Sequence, residues 1–254
     1  MVRYGKKLGA WTESFLPIAV ILLVWGFSGA SGHLDTVVMP SLETVFHTFL
    51  SGITDGTLLL ALGISIRRVL IGYLISAVLG IGLGIVIGLS KHMQRLTNLI
   101  IQILRPIPPI AWIPLVILWM GIGEGSKVFL IFLGGFFTVL INVTDGIRYT
   151  DKKLTEVAAA METPRKKYIT QLVIPAAMPS IFTGLRVALG SCWTCVVAAE
   201  LVASTSGIGY MISNARNFGQ MDVVIVGMLA IGIVGKIMDV ILNAVGNRLL
   251  AWNS

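Results

Sequence analysis

Residues 69–90 read VLIGYLISAVLGIGLGIVIGLS. The stretch carries no charged side chain, and its length meets the roughly 20 residues that a helix needs to cross a bilayer. Gly72, Ser76, Gly80, Gly84 and Gly88 recur at every fourth position. Positions four apart stack on one helix face, and small residues there let a second backbone approach closely. This spacing predicts a packing face, within the chain or against a second copy. The run GIGLGIVIG resembles a dinucleotide loop only superficially, because no strand–turn–helix context surrounds it.

The rest of the chain fits the same solvent. Its 254 residues are 56% hydrophobic and 12% charged, with a mean hydropathy of +0.89; soluble domains carry roughly 25% charged residues. Apolar runs predict about six helical spans: Phe15–Ala30, Val69–Ser90, Leu96–Gly121, Val128–Thr144, Pro175–Ala203 and Val223–Val245. All must be helices, since lipid offers backbone groups no partner. The net charge of +7 belongs to loops rather than to a basic stripe with interleaved aromatics, so nucleic-acid binding is excluded as a reading.

Lys and Arg set the expected orientation. With the N-terminus inside, the cytoplasmic side collects Arg3, Lys6, Lys7, Lys91, Arg95, Arg148, Lys152, Lys153, Arg165, Lys166, Lys167 and Arg248, while the other side holds Lys127 and Arg216. The positive-inside rule therefore predicts both termini in the cytoplasm. The basic start and apolar middle of the N-terminus also fit a cleavable signal peptide; a first span reads identically and is the expectation here.

Several local patterns refine this. Ser41-Leu-Glu-Thr-Val-Phe-His-Thr-Phe-Leu predicts a capped amphipathic helix with Leu42, Val45, Phe46 and Phe49 on one face. The prolines of RPIPPIAWIPL (Arg105–Leu115) remove helix hydrogen bonds. In lipid such a break survives only against protein or along a watery cavity. It is therefore a kink, a wall of a translocation path, or both. Candidate path residues are Arg105, Pro108, Pro109, Trp112, Trp193 and Glu200. Ionisable groups inside spans are functional candidates by default, which adds Arg67, Arg68 and a same-face pair, Lys236 and Asp239, expected to bind each other; inter-helix pairing is the plainer role for each.

Chemistry of other kinds finds no support. GIGEGSK (Gly121–Lys127) misses the phosphate-loop pattern: its second glycine comes early and Val128 follows the lysine. CWTC (Cys192–Cys195) has redox spacing but lies in an apolar span rather than a thioredoxin-like unit. Two cysteines and the scattered His33, His47 and His92 form no metal-ligand cluster, and no nucleophile–base pair stands out. The expectation is a chain that is not an enzyme and holds no cofactor.

One polar segment interrupts the spans: EVAAAMETPRKKYITQLVIPAAMPSIFTGLR, Glu156–Arg186. Asp151 can cap a helix over Lys152–Met161, whose alanines leave a smooth surface. Thr163-Pro164 can restart a helix, Thr as N-cap and Pro in the first turn, and Pro175 marks entry into the next span. The result is a rigid elbow over residues 151–175, exposed on the cytoplasmic side and continuous with the bundle.

This segment resembles the "EAA" loop of permease subunits of bacterial ABC importers, on Glu156-Val157-Ala158, Glu162 and Val173-Ile174-Pro175. The stretches IPAAMPSIFTGLRVALGSCWTCVVAAELVA, LRPIPPIAWIPLVILWMGIGEGSKVFLI and GIGYMI resemble the aliphatic sulfonate, nitrate and taurine branch. The resemblance covers residues 58–252 as a permease core within a single transmembrane domain, 1–254. It implies an all-α inner (plasma) membrane protein, a homodimer, two cytoplasmic ATPase subunits that hold ATP and Mg, and an external solute-binding protein. It further implies that the helix Glu156, Val157, Ala158, Ala159, Ala160, Met161, Glu162 docks in a groove of the ATPase, with the docking face beginning at Glu156. The family has glycine where this chain has Glu162. If that position needs a left-handed turn, Glu costs about 1 kcal/mol there, unless Thr163-Pro164 makes the break instead. A stand-alone secondary transporter or channel would instead show midplane charges and internal repeats. A scaffold for a cytoplasmic partner would need only the elbow. Importers in this broad branch also carry heterocyclic vitamins or precursors. A small anion such as a sulfonate, taurine or nitrate rests on the resemblance alone.

Overall fold

The structure is a computed structural model that describes residues 16–17, 19–27 and 39–250, and among these residues it contains helices and turns but no strand. The expected first span, Phe15–Ala30, lies partly outside the described residues; 19–27 are helical. The later helices are α1 (Leu42–Thr54), α2 (Thr57–Leu89), α3 (Lys91–Leu104), a one-turn 3-10 helix (Pro109–Trp112), α4 (Ile113–Met120), α5 (Glu124–Arg148), α6 (Lys152–Ala160), α7 (Arg165–Ala203, unbroken), α8 (Ile208–Asn217) and α9 (Met221–Leu249). Four of these, α2, α5, α7 and α9, are long and apolar enough to cross a membrane.

The third expected span is not one straight rod. Helix α3 and the Pro109–Met120 pair together would suffice for a fifth crossing, but they meet at 85°. Pro106, Pro108 and Pro109 explain the corner. None can donate a helical hydrogen bond, and the chain closes only single turns there, Ile107 N–H to Leu104 O at 3.2 Å and Ala111 N–H to Pro108 O at 2.9 Å.

The chain divides into two compact units. The smaller comprises 1–59 and 211–229. In it, Ser41 caps α1 through Oγ, which accepts from the Thr44 amide at 3.2 Å. Val45 is buried, as its place on the apolar face predicts, whereas Phe46 is exposed. Thr48 donates its hydroxyl to Asp222 at 2.6 Å, which ties α1 to the start of α9.

The larger unit, 60–210 and 230–254, holds the core. Helices α2, α5 and α7 pack around Val69, Ile131, Val139, Val143, Ala177, Ala188, Cys192 and Val196, all buried. The small-residue stripe of α2 meets α5 within the same chain. A Cβ placed on Gly80 would lie 2.8 Å from Val139 Cβ, and one on Gly84 2.7 Å from Val143 Cβ. Gly72 faces Ile131 and Gly88 faces Ile147 in the same way. Ser76 completes the series by donating to the Phe132 carbonyl at 2.8 Å. One side of α5 thus seats on the stripe, and Gly135, Gly146 and the facing Gly184 bring α7 equally close on another. The CWTC cysteines serve this packing: Cys192 is buried, with Sγ 3.4 Å from the Ile131 carbonyl.

Candidate functional site

Three features of the larger unit bear on function: the elbow, a buried ion cluster and a polar cleft. The elbow begins where Asp151 accepts from the Lys153 amide at 2.9 Å and starts α6. Its end is set by Glu162, which has φ +50°, the only left-handed non-glycine among the described residues. Thr163 N–H reaches Ala158 O at 3.1 Å and Glu162 N–H reaches Ala159 O at 3.0 Å. Those two bonds form a Schellman cap, which normally has glycine at this position. The glutamate therefore makes a left-handed turn that glycine would make without strain. Replacing Glu162 by Gly is expected to relieve about 1 kcal/mol. Amide exchange over Ala158–Thr163 in native protein should slow by about fivefold, and unchanged or faster exchange would refute the strain.

Thr163 does not cap the helix that follows. Pro164 occupies the N-cap position, extended at φ −56° and ψ 137°, with no side-chain hydrogen bond, and α7 starts at Arg165. Pro175 lies inside this helix rather than at its start. Residues Tyr168–Val173 form a π-turn in which the next amide, Ile174 N–H, bonds to Ile169 O. This shift of register falls immediately before the residue that cannot donate. The break of the elbow thus lies wholly at Met161–Pro164, and everything from Arg165 to Ala203 is one continuous helix.

The exposed face of α6 carries an apolar stripe. Leu154, Val157 and Met161 are 46%, 56% and 74% exposed, and their spacing places them in one apolar stripe. Ala158 is buried. Ala159 and Ala160 are open to solvent. Glu156 is exposed as well and also lines a cleft with Lys91, Arg148 and Tyr168. Leu154, absent from the sequence-based site, could have been found from the 154–157–161 spacing.

The ion cluster shows what surrounds Glu200, one of the path candidates. Glu200 and Arg68 are each only 1% exposed. Arg68 Nη1 donates to Glu200 at 2.7 Å and to Ser206 O at 2.7 Å, while Nε donates to Glu124 at 2.8 Å. The second Glu200 oxygen accepts from Gly209 N–H at 2.9 Å, and the Ser65 hydroxyl lies 2.8 Å from both carboxylate oxygens. Lys127 adds a bond to Glu124 at 3.0 Å. Two bases thus balance two acids and join α2, α5, α7 and the turn before α8. Gly207, at φ +103°, passes so close that any Cβ would strike the Glu200 carboxylate. Buried charges persist when paired and fully hydrogen-bonded, so Glu200 is a structural keystone. Trp193 is likewise inside, 6% exposed, with its indole N–H on the Ile231 carbonyl at 3.0 Å. Asp239 pairs most closely with Arg186 of α7, at 2.7 Å, and only loosely with Lys236, at 3.7 Å.

The remaining path candidates do gather. Arg105, Pro109 and Trp112, at the corner after α3, line a cleft with Phe137, Thr138 and Asn142 of α5. Pro108 and Pro109 border an apolar pocket beside Ala198 and Ala199. Among the described residues no group of His, Cys, Asp or Glu is placed to hold a metal.

The pattern of known proteins agrees with this architecture. A family model described as "Binding-protein-dependent transport system inner membrane component" matches residues 80–251. The chain belongs to this family. SsuC of Bacillus subtilis (strain 168), a permease protein named for aliphatic sulfonates transport, is 40% identical over 250 residues, 98% of this chain and 91% of that one. The taurine transport system permease protein TauC of Escherichia coli (strain K12) is 33% identical over 247 residues, 95% of this chain and 90% of its own. The nitrate import permease protein NrtB of Synechocystis is 36% identical over 228 residues, 87% of this chain and 83% of its own. Among solved structures, an inward-facing form of the MetNI methionine ABC transporter superposes with a TM-score of 0.60 at 16% identity, over 75% of this chain and 93% of that one; this likeness concerns the fold. The chain is accordingly a membrane permease subunit of an ABC importer, a transport component of the sulfonate, taurine and nitrate branch.

Proposed function

We propose that two copies of this permease form the path for a small anion, a sulfonate, taurine or nitrate, that an external solute-binding protein delivers. In this reading two separate ATPase subunits hold ATP and Mg and do the hydrolysis. The permease core spans 58–252 of a single transmembrane domain. The elbow, residues 151–175, faces the cytoplasm, with both termini on the same side of the inner (plasma) membrane. The Lys/Arg asymmetry supports that orientation, and the names of the relatives support the class of solute.

The observation that carries the reading is the elbow. An exposed apolar stripe, Leu154, Val157 and Met161, sits on a short helix with fixed ends. After one turn the chain continues as an unbroken helix to Ala203, beside the packed core. A partner that seats on the stripe and moves it would move the start of α7 with it. The test is reconstitution in liposomes with the cognate ATPase inside and the loaded binding protein outside. Uptake of labelled taurine or ethanesulfonate should require all three proteins and Mg-ATP. Uptake by the permease alone would make it a secondary transporter or channel.

A further inference from the structure

We propose that the cleft between the Arg105–Trp112 corner and α5 is a contact site for a small organic anion, built around the guanidinium of Arg105. The cleft has a volume of about 340 Å³. Of the residues that line it, Arg105 is the only charged one. Among the described residues it pairs with no carboxylate, unlike Arg68 and Arg186. Arginine presents five N–H donors in a planar fork that matches carboxylate and sulfonate oxygens.

The neighbours of Arg105 suit the same ligand. Thr138 contributes a hydroxyl. Asn142 spends one amide N–H on the Thr138 carbonyl, at 2.8 Å, which fixes the side chain and leaves its other N–H free. Both residues are half-buried, so their donors are held by the helix rather than drifting in solvent. Ile107, Pro109, Trp112 and Phe137 supply an apolar wall, which suits a short hydrocarbon attached to the charged head. No acid faces the cleft to repel an anion. Arg105 is exposed on this chain, so its fork is open to an incoming counter-ion.

The position is consistent with a transient site. The prolines that make the corner remove regular backbone bonding, and irregular backbone at membrane depth is tolerated where it lines a cavity. The next cleft along α3 and α5 shares Arg105 and also holds Asp145 and Arg148, so its charge is mixed and the preference for an anion belongs to the Arg105–Asn142 cleft alone. The inference rests on the importer reading for the direction of travel, but the charge preference of the cleft is a property of the chain itself.

That preference can be read without transport. Cys192 and Cys195 are changed to Ala, and Thr138→Cys or, as a second reporter, Ile107→Cys is introduced. The complex copurified with its ATPase is treated with two thiol reagents of similar size, the anionic sulfonatoethyl and the cationic trimethylammonioethyl methanethiosulfonate. The thiolate displaces sulfinate and forms a mixed disulfide in both cases, so the rate ratio reports local potential. The anionic reagent should react faster. Arg105→Gln should lower the anion-to-cation rate ratio about tenfold, and Arg105→Lys should keep most of it. Free ethanesulfonate should slow labelling in the parent and not in Arg105→Gln. An unchanged ratio in Arg105→Gln, or reporters that react with neither reagent, would overturn the site. A complex that labels as expected yet takes up no solute would count against the importer reading and leave the site standing.

Discussion

Arg68→Met is expected to be the most destabilising single change in the larger unit. It leaves Glu200 almost fully buried without its base, with only the Ser65 hydroxyl and the Gly209 amide to hold it. Glu124 keeps Lys127 as its partner and is half exposed. The variant therefore leaves one buried acid without its base. Removing one member of a buried pair costs about 3–5 kcal/mol, which corresponds to a fall in melting temperature of roughly 10 °C for a chain of this size. Combining Arg68→Met with Glu200→Met removes both charges of that pair and leaves the Glu124–Lys127 pair neutral, so most of the loss should return. Lys127→Met alone should cost less, because Glu124 retains Arg68 and access to water. Thermal unfolding of detergent-purified protein, followed by size exclusion, separates these cases. A single Arg68→Met variant that melts with the parent would show that the cluster contributes nothing. Failure of the double variant to recover would show that the cluster works by shape rather than by charge balance.

The same cluster shows where the sequence was readable and where it was not. The glycine stripe of α2 was legible because a period of four has one meaning in a helix, and its partner emerged as α5 of the same chain. The start of α6 was legible for a similar reason: Asp151 caps by local geometry alone. The left-handed turn at Glu162 was foreseen only as the cost of departing from a family pattern, and the geometry now attaches that cost to one residue. Arg68, Glu124 and Glu200 stand far apart in sequence, and no local period links them. An intramembrane glutamate reads as a functional candidate, and its arginine partner is visible only in the fold. The break in the third span was legible from its prolines, but hydropathy is blind to direction, and only the structure shows that the chain turns through 85° there. The continuity of the elbow with the bundle was expected; what the sequence did not show is the π-turn immediately before Pro175 through which the helix continues.

Val157→Asp and Met161→Asp should leave the fold intact and abolish coupled transport. Both side chains are exposed in this chain and neither joins the core, so each variant should melt within a few degrees of the parent. If the stripe seats in an ATPase groove, each substitution withdraws an apolar side chain worth about 1.5–3 kcal/mol when buried. It also places a carboxylate where no partner is provided, a further cost. Together these predict a loss of ATPase affinity of at least about tenfold per variant. A dimer presents the stripe twice and would feel the change twice. Ala159→Arg, on the same open surface, should act by bulk alone. Glu156→Lys should act differently. It puts a third base beside Lys91 and Arg148 in the cleft behind α6, so it should loosen the elbow's seat and weaken coupling without preventing ATPase binding. Copurification measures affinity, and hydrolysis with and without loaded binding protein measures coupling. The expected result is loss of both for Val157→Asp and Met161→Asp, and loss of stimulation alone for Glu156→Lys. Full stimulation and full uptake in Val157→Asp and Met161→Asp would mean that the stripe is not the docking face, and that the push on α7 enters the bundle elsewhere.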